Sequence, residues 1–226
     1  MRDVAKAHLA LAETLKINCI EVAIGGSFGG NQALEFAYDF TGTIKNLILL
    51  VSTAEESAWG IAIHQAQRMA LQADASFGEI KGGKQGLKAA RAIAMLTYRT
   101  QKSYQDTQTD TEEKVSDFKA ASYIQYQGDK FERRFDALSY YYLSKCLDSH
   151  AIGRGRGGVE KALSQLKQRC LLIGIDSDLL IEPHQQKFMA RYMPNSVYKE
   201  IHSDFGHDGF LIETKDITKL INDFLD

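Results

Sequence analysis

Cysteine is scarce in this sequence: three in 226 residues, Cys19, Cys146 and Cys170. An odd number without metal-like spacing gives neither a disulfide framework nor a thiolate site. Cys19 and Cys170 fall in apolar runs that read as buried strands, so reduced core thiols are expected. The six histidines form no His-Glu-x-x-His array, and no metal is implied. Neither sign of charge dominates. A net charge of −2 and a pI near 6.3 argue against a nucleic-acid partner. No apolar run approaches a membrane span and the N-terminal residues show no signal-peptide h-region, so the expectation is a soluble, cytoplasmic chain without a membrane partner. Internal repeats are absent. What is present, 44% hydrophobic residues over this length, suffices for one sizeable core, read as a single domain with an insertion.

The ends of the chain alternate strand and helix patterns. Cys19–Ile24, Asn46–Val51, Cys170–Ile175 and Tyr198–His202 read as strands, which assigns 1–52 and 161–226 to an α/β core. Residues 53–160 show helical periodicity without a convincing strand and read as a helical lid inserted in that core. Within it, Gln101 to Asp117 is polar and almost free of aliphatics, so a mobile, solvated loop is expected. The Arg-Gly run at 153–158 is short and reads as the joint between lid and core. Tyr140-Tyr141-Tyr142 reads as lid packing. At the N-terminus Val4, His8, Leu11 and Leu15 share one helical face, with His8 expected to be packed rather than a ligand.

Chemistry concentrates in Gly25-Gly26-Ser27-Phe28-Gly29-Gly30, set between the first strand and a helical pattern beginning at Asn31. Gly-x-Ser-x-Gly between strand and helix is the context of a nucleophile elbow. The sharp turn leaves no room for Cβ atoms, exposes the Ser27 hydroxyl and sets it at a helix N-terminus that favours developing negative charge. In such elbows an acid and then a histidine follow downstream. Asp176 and Asp178 both lie after the third strand, and His207 lies in a loop between Gly206 and Gly209 after the fourth. These groups converge on Ser27 only if the third and fourth strands are neighbours in a parallel sheet, where ligands gather at the strands' carboxyl ends.

Residues 25–37, GGSFGGNQALEFA, resemble the elbow of the homoserine O-acyltransferases. Further resemblances are Ser57–Ala62 with Gln67-Arg68, Ala90–Arg99, Lys130–Ala137 with Ser139-Tyr140, Asp148–Arg154, Gly174–Asp178 and Gly206–Leu211. The resemblance runs from Arg2 to the C-terminus. It implies an α/β-hydrolase fold with a partial parallel sheet and an enzyme that moves an acetyl or succinyl group from acyl-CoA to the hydroxyl of L-homoserine in methionine biosynthesis. Acyl-CoA is then a co-substrate, and no cofactor is required. Position by position, it implies Ser27 as nucleophile, His207 as general base and Asp178, rather than Asp176, as the orienting acid. It also implies an oxyanion donor at the Phe28 amide, Arg91 for the homoserine carboxylate and Asp208 for its amino group.

Ile181-Glu182 departs from that family's pattern, which has an aromatic residue and proline there. Roughly the first third of a family member has no counterpart here, so residues 19–24 are expected to form an apolar sheet edge that self-associates, as a homodimer or otherwise. One oxyanion donor would belong to the part without a counterpart. Two further readings follow from the same residues: an esterase on this scaffold, or a catalytically impaired fragment. Arg91 with Asp208 favours the amino-acid acceptor over plain hydrolysis.

Overall fold

The computed structural model describes residues 1–226. Strands β1 (Cys19–Gly26), β2 (Thr43–Leu50), β3 (Arg169–Ile175) and β4 (Ser196–Ile201) form one parallel sheet in the order β1-β2-β3-β4. The two central strands are almost continuously buried, which is why they are uninterrupted apolar runs: a parallel strand is covered on both faces. Alternate residues of β2 serve opposite layers. Leu47 and Leu49 join Leu34, Leu163, Leu172 and Met189 on one face. Ile48 joins Leu171, Ile173 and Ile217 on the other. Helices α2 (Phe28–Asp39) and α9 (Pro183–Tyr192) cover the first face; after the short α10 (Gly209–Ile212), α11 (Thr214–Leu225), which carries Ile217, covers the second.

β1 pairs only with β2 and stands at the sheet edge. Ile24 on it is 51% exposed. Beside it a groove of about 400 Å³ is lined by Leu11, Leu15, Ile20, Ile24 and Phe36.

Between β2 and β3 the chain forms α3 (Ala58–Gln72), α4 (Lys84–Tyr98), α5 (Gln101–Gln108), α6 (Lys119–Glu132), α7 (Ala137–Asp148) and the short α8 (Val159–Ser164). Leu71, Leu87, Ala90, Phe131 and Ala137 make a separate small core there, with Tyr140 and Tyr141 against it. Tyr142, by contrast, is exposed. A buried polar network ties α3 to α7: Asp148 pairs with Arg68 at 2.6 Å and with His64 Nδ1 at 2.8 Å, and Arg68 also donates to Ser144 Oγ at 3.1 Å.

Several sequence expectations are corrected. Residues 101–108 form helix α5, not loop. The Thr100 side chain caps it by accepting from the Ser103 amide at 2.9 Å, and Lys102 pairs with Asp106 one turn on. Capping and a favourable ion pair supply what apolar periodicity lacks. In α1 (Arg2–Thr14) the buried residues are Ala5 and Ala12; His8, Leu11 and Leu15 are exposed, because α1 presses its small residues rather than its larger apolar ones inward. All three cysteines are free, but Cys19 is exposed, since it opens an edge strand. Apart from these corrections, the Arg-Gly run lies between α7 and α8 as a series of turns, with Arg156 bonded to Glu35 of α2 at 2.6 Å and to Asp39 at 2.8 Å.

Candidate active site

The turn from β1 to α2 puts Ser27 at φ 51°, ψ −120°, a conformation costly for a residue with a side chain. Its surroundings hold it there. The Ser27 amide donates to the Leu50 carbonyl at 2.8 Å, and the glycines permit close approach: a Cβ on Gly25 would meet the Gly29 carbonyl, and one on Gly30 the Ser52 hydroxyl. Phe28 follows at the first position of α2, where an amide has no intrahelical acceptor.

β3 and β4 are neighbours and parallel, so the loops that follow them lie side by side. The His207 ring is buried and bonded at both nitrogens: Nε2 lies 2.8 Å from Ser27 Oγ, and Nδ1 lies 2.7 Å from Asp178 Oδ2. Asp178, also buried, accepts the Leu180 and Ile181 amides on its other oxygen at 2.8 and 2.9 Å. These amides keep the carboxylate oriented. Asp176 is directed elsewhere, accepting from the Ser203 amide at 3.1 Å and pairing with His202 at 2.6 Å. Of the two acids, Asp178 touches His207 and Asp176 does not. Gly206 has φ 63°, which lets the chain turn His207 back across the strand ends.

Arg91 and Asp208 are not bonded to each other. The Arg91 guanidinium lies 5.3 Å from the Tyr98 ring centre and 5.0 Å from that of Phe131; its Nε is buried without a hydrogen-bond partner. Asp208 instead pairs with Arg99 at 2.8 Å. Tyr98 links the groups, its ring 5.6 Å from that of His207. Burial, foremost, pushes the Tyr98 phenol up, and the charges of Arg91 and Asp208 both reach it.

Sequence reading passed over three neighbours of this constellation. Tyr98 and Arg99 were within reach of it: seven residues beyond Arg91 is close to two helical turns, which places Tyr98 on the same face. Glu56 carried no signal. It accepts the Ser57 amide at 3.1 Å, and burial pushes its carboxyl up to about 7. It borders a cavity of about 670 Å³ that also meets Trp59, Leu179, Leu180 and Phe188.

An elbow serine on a parallel sheet, reached by a histidine and an acid from two later strand ends, defines the α/β hydrolases. Residues 1–214 match the family described as alpha/beta hydrolase fold, and the chain belongs to it. Within that class it is similar to the homoserine O-acetyltransferases. The relative from Cyclobacterium marinum is 43% identical over 225 residues, covering 99% of this chain and 64% of that protein. The Thermus thermophilus relative is 38% identical over 226 residues, covering 100% and 58%. The solved homoserine O-acetyltransferase of Staphylococcus aureus superposes with a TM-score of 0.85 at 32% identity, covering all of this chain and 64% of that one. Esterase E22, at 20% identity and a TM-score of 0.88, covering 98% and 65%, shares the fold alone. The chain thus spans less than two thirds of the length of the curated relatives it matches.

Proposed function

We propose that this chain performs acyl transfer from acetyl-CoA to the hydroxyl of L-homoserine through an ester on Ser27, a step of methionine biosynthesis. His207 Nε2 takes the proton as Ser27 Oγ attacks the thioester carbonyl. The Phe28 amide supports the negative charge that develops on the carbonyl oxygen. Collapse of the adduct expels the CoA thiolate, which takes the proton from His207 and leaves the acyl group on Ser27. The homoserine hydroxyl then attacks this ester, His207 receives its proton, and Ser27 departs with that proton as the product forms. Asp178 holds the imidazole in the tautomer that accepts at Nε2.

One observation carries this reading: the unbroken hydrogen-bonded chain Ser27–His207–Asp178, with the Arg91 guanidinium, its Nε unpartnered, joined to it through the Tyr98 ring. Arg91 suits the acceptor carboxylate, for which guanidinium geometry is matched, and Asp208 suits its ammonium. The names of the relatives favour acetyl over succinyl as the group moved. Residues 53–160 act as a lid, limiting water at the acyl-enzyme so that transfer outruns hydrolysis. The enzyme works in the cytoplasm on small molecules and self-associates through the β1 edge.

The test is to supply acetyl-CoA with and without homoserine and to separate O-acetylhomoserine from free acetate. O-acetylhomoserine formed by the unchanged chain and lost in Ser27→Ala supports the proposal. Acetate released at one rate regardless of homoserine would make the protein an esterase.

A further inference from the structure

The end of helix α4 meets the loop of His207 at several points, and they divide into two kinds. The first kind holds the backbone of the loop. Thr100 Oγ1 donates to the Asp204 carbonyl, and a Cβ on Gly206 would sit 3.1 Å from the Tyr98 carbonyl oxygen. The second kind joins side chains: Lys102 pairs with Asp204 at 3.1 Å, and the Tyr98 ring lies 5.6 Å from that of His207. Arg99 Nε donates to Asp208 Oδ2 at 2.8 Å, and its guanidinium lies 5.5 Å from the Phe205 ring centre.

On the basis of the acyl-transfer reading above, we propose that Arg99 is a positioning residue for the acceptor. It clamps one oxygen of Asp208 so that the other is presented to the ammonium of an amino-acid acceptor. The geometry separates this role from support of His207. The loop backbone is anchored by Thr100 and by the close approach of Gly206 to the Tyr98 carbonyl, and Lys102 holds the Asp204 side chain; none of these involves the Arg99 side chain. Asp208 Oδ1 has no protein partner, whereas Oδ2 is taken. Both side chains are mostly buried, at 25% and 18% exposure, so water compensates poorly for a lost partner. Without Arg99 the carboxylate would rotate freely and lose its counter-charge. With it, Arg91 remains the one uncompensated cation of the trio, ready for the acceptor's carboxylate.

A lysine would keep the charge but not the planar fork resting on Phe205. Arg99→Lys is therefore expected to fall between Arg99 and Arg99→Gln.

Two readouts on the full chain decide the matter: homoserine binding by calorimetry, and acetylation of Ser27 by p-nitrophenyl acetate, followed by mass. Arg99→Gln should weaken homoserine by about tenfold while changing Ser27 acetylation by less than about twofold. Asp208→Asn should weaken homoserine at least as much, and adding Arg99→Gln to it should cost little more, because the two act as one unit. Unchanged homoserine affinity in Arg99→Gln would overturn the proposal, as would additive losses in the double variant. Equal falls in binding and acetylation would also overturn it, making Arg99 a support of the His207 loop. If the unchanged chain acetylates at Ser27 yet binds no homoserine, the acceptor assignment itself fails, and the role of Arg99 with it.

Discussion

Replacing Glu56 by glutamine should make the protein more stable at alkaline pH and leave it nearly unchanged in acid. The Glu56 carboxyl is pushed up to about 7 from the ordinary 4.5, first by burial and in smaller part by the charge of Asp148, against the Ser57 amide and the charge of His207. The folded protein therefore retains a proton that the unfolded chain has released. Stability falls as pH rises wherever the folded state binds more protons. The fall begins near pH 4.5 and is complete somewhat above pH 7. Moving from about 4.5 to about 7 at 1.36 kcal/mol per pH unit gives roughly 3 kcal/mol. Glutamine keeps an oxygen for the Ser57 amide but carries no titratable proton. Urea unfolding of both proteins at pH 4.5, 6 and 8 measures the gain directly. It should be near zero at pH 4.5 and approach roughly 3 kcal/mol at pH 8. A gain that is the same at all three values, or that shrinks with rising pH, would refute the reasoning.

The other expectations bear on the site and on the sheet edge. Asp178→Asn should slow Ser27 acylation by about 10²–10⁴ by disturbing the His207 tautomer, whereas Asp176→Asn should change it little; single-turnover acylation distinguishes them, and a larger loss at Asp176 would reverse the assignment. Arg91→Lys should weaken homoserine by about tenfold, since charge without the fork binds a carboxylate less well; a rise in the acetyl-CoA KM alone would move Arg91 to the donor site. Ile24→Lys should reduce self-association, because a charge on an edge strand opposes further pairing; light scattering unchanged from the parent would exclude the β1 edge as the contact.

Much of this was legible because it is written in local pattern. β2 and β3 are buried on both faces and hence uninterrupted apolar runs, and the glycines at 25 and 30 mark a turn where backbone and hydroxyl press close. The order serine, acid, histidine was legible too, since each stands at a strand end. What escaped is not written in apolar periodicity. The inward face of α1 is carried by Ala5 and Ala12, residues too small to show in a hydrophobic pattern, while Leu11 and Leu15 border a groove. Helix α5 rests on the Thr100 cap and the Lys102–Asp106 pair instead of apolar periodicity. Cys19 reads as core because it begins an apolar run, yet that run is an edge. The resemblance implies Asp208 as a ligand for an amine, but its first partner is Arg99, which only the packing of α4 against the His207 loop reveals.

The central claim is that Ser27 carries the acyl group, and the location of that group tests it most directly. The protein is mixed with acetyl-CoA, quenched in acid within seconds, digested and mapped by mass spectrometry. The account predicts one acetyl group on the peptide containing Ser27, cleared on addition of homoserine and absent from Ser27→Ala. Acetylation at another residue, or equal labelling of Ser27→Ala, would contradict it.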